Sequence, residues 1–293
     1  MRILGTGLDG LVGSRIVELL QKNHEFENIS LLTGVDITNN DQVKKAIYES
    51  PADVVLHLAA YTNVKAAEAE KGYKEESQSW KVNVIGTDNV AKACEEAGKF
   101  LIYASTDLVF DGENVPEGGY KEENTPHPLS WYATTKYEGE LRVKAINTPW
   151  VIMRLAYPYR AHFIKHDFVR FFIEKFKNNE SLSVLTDRII TPTFIDDIAL
   201  AVDAFVQKKP SGIYHTVGSQ AISIYEAAKL ITEMFGLDKS LVKTTTRKEF
   251  LEGRAPEPEN SALDNRKIKR DLGVSFRTFK EGLEALHALT NSV

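Results

Sequence analysis

Short apolar runs alternate with longer amphipathic stretches through most of the chain. Near-continuous apolar runs at 2–5, 29–33, 53–60, 100–105, 151–155 and 212–217 predict buried strands. Between them, apolar residues at helical spacing predict helices over 12–22, 41–49, 78–98 and 132–146. Strands too apolar to alternate, separated by helices, indicate an α/β fold with a doubly wound parallel sheet covered on both faces. Right-handed crossovers follow from strand and helix chirality. The second half is less regular. Helical patterns at 168–177, 198–206 and 224–235 are broken by turns, and Pro256 and Pro258 make 254–260 a loop. There is no repeat, low-complexity tract or flexible linker. The predicted organisation is a core over 1–156, completed by about 190–218, with a smaller C-terminal α+β lobe from 157–189 and 219–293.

Charge changes the picture only by exclusion. The 293 residues carry a net charge of −5, with 43% hydrophobic and 26% charged content, as in an ordinary globular protein. A broad phosphate-neutralising surface is therefore not expected, and nucleic acid is a poor candidate partner. Cys94 is the single cysteine and reads as a small core residue, with no thiol cluster for a metal. No apolar run approaches the roughly 18–20 residues that a membrane span requires. The chain enters its first strand at Arg2 with no charged-then-apolar leader, so a cytoplasmic enzyme is the expectation.

The first strand meets the first helix at Gly7-Leu8-Asp9-Gly10-Leu11-Val12-Gly13. A glycine pattern alone is weak, but this one sits at a strand-to-helix turn. There, absent side chains let backbone approach a pyrophosphate, and the helix N-terminus supplies free N–H groups. Asp9 sets a carboxylate near the expected phosphates or caps the helix. Past the second predicted strand, Leu31-Leu32-Thr33-Gly34 offers no acid for a ribose 2′-hydroxyl, although Asp36 lies a few residues on. That favours NADPH over NADH without excluding either. His57, before Leu58-Ala59-Ala60, reads as a core histidine, and Asn83 as a polar group inside a long helix.

Tyr132 and Lys136 stand one helical turn apart, downstream of a strand ending in Ser105-Thr106. Tyr61/Lys65 and Tyr225/Lys229 share the spacing but not that context. An ammonium beside a phenol lowers the phenol's pKa, and a Tyr so tuned can protonate a carbonyl oxygen as hydride reaches the carbon. The tryptophans Trp80, Trp131 and Trp150 read as packing residues. The 162–167 segment, with His162, His166 and Asp167, has the wrong spacing for a closed metal site, so no metal is expected.

With glycine turn, Ser105-Thr106-Asp107 and Tyr132/Lys136 in this order, the chain resembles the extended short-chain dehydrogenase/reductases, which have a Rossmann-like core. Val35-Asp36-Ile37-Thr38, the 59–64 and 105–112 segments, Thr191-Pro192-Thr193 and the 260–264 segment resemble one branch, the dTDP-4-dehydrorhamnose reductases. The resemblance implies that Thr106 bonds the substrate carbonyl, Tyr132 donates the proton, and Lys136 holds the nicotinamide ribose. It places Gly7, Gly10, Leu11 and Val12 at the pyrophosphate and Asp36 and Ile37 at the adenosine. Ala59, Ala60 and Asn83 would complete the cofactor cleft. Asp107, Val109, Arg154, Tyr157 and Arg254 are the expected substrate residues. The branch reduces a 4-keto group on a nucleotide sugar. Relatives often form dimers, and the oligomeric state stays open.

Three departures fall on the substrate side. Leu108 stands where the branch has Tyr, Leu155-Ala156-Tyr157-Pro158-Tyr159-Arg160 replaces its segment after Arg154, and Glu257-Pro258 replaces Arg-Pro before Asn260-Ser261. A Glu at 257 repels phosphate where an Arg would attract it. Leu108 also lacks the carboxyl that dehydratases use. Two alternatives accompany the reductase: an epimerase on the same scaffold, and a non-catalytic subunit resembling the regulatory β subunit of methionine adenosyltransferase.

Overall fold

The computed structural model describes residues 1–291. Five of the six central strands are β1 (Arg2–Thr6), β2 (Glu25–Ile29), β3 (Val54–His57), β4 (Phe100–Thr106) and β5 (Trp150–Leu155); the sixth is Gly212–His215. Side by side they run Gly212–His215, β5, β4, β3, β1, β2, with every pairing parallel. The doubly wound α/β fold expected from the sequence is the fold observed. Strand order reverses between β1 and β3, and the crevice at such a switch point is where open α/β sheets bind ligands.

Alternate residues of each strand feed two cores. Ile3, Val54, Leu56, Ile102 and Met153 pack against the helices Leu11–Leu20, Ile195–Lys208 and Arg266–Leu272. Leu4, Val55, Leu101, Tyr103 and Ile152 face Asn40–Glu49, Thr87–Glu96 and Trp131–Lys144. A third core joins Tyr159, Phe172, Phe194, Ile231, Phe279 and Leu283. It draws on the helices Phe168–Lys177, Ile224–Met234 and Phe279–Thr290, with short strand pairs such as Leu182–Leu185 against Val242–Thr245.

Two elements differ from the sequence reading in ways that matter for the site. The second strand is Glu25–Ile29 and not 29–33. Ser30 ends it by accepting from the Leu32 N–H, which starts a 3₁₀ turn closed by Gly34 at φ +84°. The 78–98 helix is Gln78–Glu96 with a wide π turn at Lys81–Gly86 that carries Asn83. The helix Phe279–Thr290, absent from the sequence reading, carries a legible start signal in its Thr278/Glu281 capping box.

Candidate active site

The glycine turn lies at the switch point and is shaped by what a Cβ would strike. Gly7 sits at φ +70°, and a Cβ there would lie 2.7 Å from the Ala59 backbone nitrogen. At Gly13 it would lie 2.6 Å from Leu8 Cα. Gly10 starts the Leu11–Leu20 helix without any side-chain cap, so first-turn N–H groups remain for an anion. Asp9 does not cap this helix. Asn28 at the end of β2 donates to its carboxylate at 2.6 Å, holding it to one side. These features form a cradle that fits a dinucleotide pyrophosphate.

The neighbouring cleft wall is built from buried polar bonds. The ring of His57 lies between the hydroxyls of Thr6, at 2.7 Å, and Thr87, at 3.1 Å. Burial holds its pKa down to about 3, so it is a neutral structural group. Thr6 also accepts from the Ala59 N–H at 3.1 Å, which fixes the partly exposed Ala59-Ala60 edge. Asn83 is fully buried; it accepts from the Tyr61 N–H at 2.8 Å and donates to Tyr61 O at 3.1 Å and Thr135 Oγ1 at 2.9 Å. It therefore ties the loop after β3 to the helix bearing Tyr132.

At the adenosine end, the Asp36 carboxylate is taken by the Thr38 N–H at 2.9 Å and hydroxyl at 2.8 Å. Ile37 turns its side chain into the core against Gly86, and Asn89 holds its carbonyl at 2.9 Å.

Ser130 accepts from the Ala133 N–H and so starts the Trp131–Lys144 helix. Tyr132, Lys136 and Glu140 lie on its buried face. Thr106, at the carboxyl end of β4, lies near the Tyr132 phenol and favours its ionised form. Burial, reinforced by the nearby Asp107 charge, pushes the Tyr132 pKa up, while burial brings Lys136 down to about 7. This corrects the expectation that Lys136 acidifies Tyr132. Lys136 Nζ lies 4.2 Å above the Tyr103 ring, and desolvation is the dominant influence on both groups.

Beneath the pair, Arg154 donates to both Glu140 oxygens, at 2.8 and 2.7 Å, and Ser105 donates to the same carboxylate at 2.7 Å. Arg154 is fully buried, so the expectation that it meets substrate does not hold. Its position on β5, opposite Ser105, turns it toward the Trp131–Lys144 helix. Val109 likewise has no exposure and packs with Phe110, Tyr120 and Leu263, so it also departs from its expected substrate role. Arg254 is exposed and stacks 4.0 Å from the Phe250 ring centroid.

The remaining substrate-side residues do converge. Asp107 is buried, with Thr106 donating at 3.2 Å and Ser261 at 2.5 Å. Burial raises its pKa against the opposing pull of Arg188. Tyr157 sits at φ +42°, in the left-handed region that disfavours side chains. Arg188 was not foreseen from sequence. It is fully buried, 5.9 Å from the Tyr157 ring centroid, and donates to Ser261 Oγ at 3.1 Å. Gly112, at φ +81°, lets the 258–260 backbone approach so closely that a Cβ would lie 2.8 Å from Glu259 N. Among the described residues no cluster of metal-ligating side chains occurs, and no helix is long and apolar enough to cross a membrane. His162 and Phe163 line a surface cleft of about 380 Å³ with Ser14 and Glu18.

The model of the RmlD substrate binding domain matches residues 1–291. A dTDP-4-dehydrorhamnose reductase of Aggregatibacter actinomycetemcomitans is 31% identical over 299 residues, covering 98% of each chain. Methionine adenosyltransferase 2 subunit beta of Bos taurus is 29% identical, covering 97% of this chain and 86% of its own. Among solved structures, the dTDP-4-dehydrorhamnose reductase of Bacillus anthracis in complex with NADP superposes with a TM-score of 0.89 at 30% identity, covering 99% of each chain.

Proposed function

Because the chain belongs to the RmlD substrate binding domain family, we propose that it reduces the keto group of a dTDP-4-keto-6-deoxyhexose, using NADPH in preference to NADH. It is an NAD(P)-dependent oxidoreductase. The observation that carries the reading is the meeting of Thr106 and Tyr132 at the carboxyl end of β4, beside the glycine cradle at the switch point.

When bound, the nicotinamide supplies hydride to the carbonyl carbon. The chain supplies the proton. Tyr132, held protonated by burial, donates its hydroxyl proton to the carbonyl oxygen, while the Thr106 hydroxyl donates a hydrogen bond to the same oxygen. Lys136 would hold the ribose hydroxyls and, once a ligand's polar groups replace lost hydration, regain its charge beside the phenol. Gly7 and Gly10 would admit the pyrophosphate to the first turn of the Leu11–Leu20 helix.

Support for NADPH comes from β2. It ends at Ile29 followed by Ser30, and the nearby Asp36 carboxylate is occupied by Thr38. No free acid at that strand end opposes a 2′-phosphate. We read the third hydrophobic core and its loops as the substrate lobe, largely within the expected 157–189 and 219–293 apart from the helix Arg266–Leu272, which packs on the central sheet.

The test is NADPH oxidation with dTDP-4-keto-6-deoxyglucose as substrate. Stoichiometric consumption supports reduction and excludes an epimerase, which recycles its cofactor. Cofactor binding without turnover on any keto sugar would favour the non-catalytic reading that the likeness to the methionine adenosyltransferase β subunit supports.

A further inference from the structure

Arg188 presents a bonding edge that the protein leaves incomplete. Its Nη1 donates to Ser261 Oγ at 3.1 Å and to Ile189 O at 3.2 Å. Nε and Nη2 are buried without a hydrogen-bond partner. These two nitrogens form the edge with which a guanidinium grips two oxygens of a carboxylate or phosphate. Facing it are the Tyr157 phenol, whose ionised form Arg188 favours, and Glu257, whose carboxylate stands 3.5 Å from Nε and is 28% exposed. That is an ion pair too long for a hydrogen bond. A buried guanidinium left so poorly matched is unfavourable, since desolvation is not recovered.

Position ties this edge to the reaction site. Arg188 bonds Ser261, Ser261 bonds Asp107, and Asp107 accepts from Thr106. The edge also lies beside Tyr157. Glu257 further occupies the place where the resembling reductases carry an Arg, so Arg188, just before the Ile189–Ile190 strand, brings positive charge back to that spot from a different segment of the chain.

Resting on the reductase reading, we infer that the Nε–Nη2 edge of Arg188 is a specificity subsite for a two-oxygen anion on the substrate. Glu257 covers the edge until the substrate arrives and is displaced by it. The anion is a phosphate of the nucleoside diphosphate or a carboxylate on the sugar. Asp107 and Glu257 are the acidic groups facing it; burial raises the Asp107 pKa, and its two oxygens are engaged by Thr106 and Ser261.

Calorimetric binding to the NADPH-loaded protein tests this with three probes: dTDP, dTDP-glucose and dTDP-glucuronate. Glu257→Gln removes the competing carboxylate and should tighten the anion-bearing probe by about fivefold. Arg188→Gln and Arg188→Lys should weaken it by about tenfold or more, because Lys lacks the fork. NADPH affinity should not change in any variant. If all three probes show these responses, the anion is a phosphate; if only dTDP-glucuronate does, it is a carboxylate. Either pattern supports the subsite. Should the Arg188 variants fail to fold, Glu257→Gln alone decides. Unchanged or weaker binding of every probe to Glu257→Gln overturns the inference, as does undetectable binding to both it and the wild type. Lost NADPH oxidation with these binding shifts intact would fault the reductase reading and leave the subsite standing.

Discussion

Two arginines are wholly buried, and their surroundings are opposite. Arg154, under the Trp131–Lys144 helix, has both Glu140 oxygens within 2.8 Å, lies 5.0 Å from the Phe110 ring centroid and has His215 at 3.4 Å. Arg188, on the substrate side, has two nitrogens with no hydrogen bond and a carboxylate at 3.5 Å. The region around Arg154 completes its polar groups internally, so Tyr132 and Lys136 rest on a support that is rigid before any ligand binds. The region around Arg188 leaves a bond to be made. A fully satisfied buried network fixes geometry, whereas a partly satisfied one awaits a partner.

The largest expected effect concerns the chemistry above the completed network. Tyr132→Phe should lower kcat by about 10²–10⁴-fold while NADPH affinity stays unchanged, as measured by steady-state kinetics and cofactor titration. Next comes the support itself. Arg154→Ala strands Glu140 in the core and should destabilise the protein by about 3–5 kcal/mol in urea unfolding. Arg188→Ala should cost clearly less, because it removes a group that is only half matched. Equal losses for the two variants would break the contrast.

Smaller effects sharpen it. Gly7→Ala puts a methyl against the Ala59 backbone at a positive φ, so NADPH affinity should fall about tenfold or more with little change in the fold's circular dichroism. A further effect is on acid stability. His57 and His215 are held neutral by burial, with pKa values near 3 against an ordinary 6.5. The unfolded chain takes up those protons first, so stability should decline as pH falls from about 6.5 toward 3. Lys136 acts at the other end. Its pKa of about 7 lies below the unfolded 10.5, so the ligand-free protein should gain stability from pH 7 to about 10.5, and Lys136→Met should flatten that rise.

What could be read from the sequence was local in character. The glycine turn and the Tyr132/Lys136 spacing are set by one turn and one helical repeat, so short-range geometry sufficed to propose them. Arg154 was misassigned although strand alternation carried the answer, since it shares parity with Ile152, which faces the Trp131–Lys144 helix. The second strand was misplaced because Leu31 and Leu32 look like a buried run. They are 76% and 85% exposed on a 3₁₀ turn, while the true strand reads Glu-Phe-Glu-Asn-Ile with only Ile29 buried. The Arg188–Glu257 pair was beyond reach. It depends on how the 257–264 segment threads between β-bridges at Ile189 and Tyr120 and over Gly112, which no local pattern encodes.

The most direct measurement uses NADPH deuterated at the transferable position of nicotinamide C4, with a dTDP-4-keto-6-deoxyhexose as substrate. Deuterium should appear on C4 of the reduced sugar, one per NADPH oxidised, and Tyr132→Phe should slow its transfer by at least about a hundredfold. A product free of deuterium, or equal transfer by wild type and Tyr132→Phe, would contradict reduction with Tyr132 as proton donor.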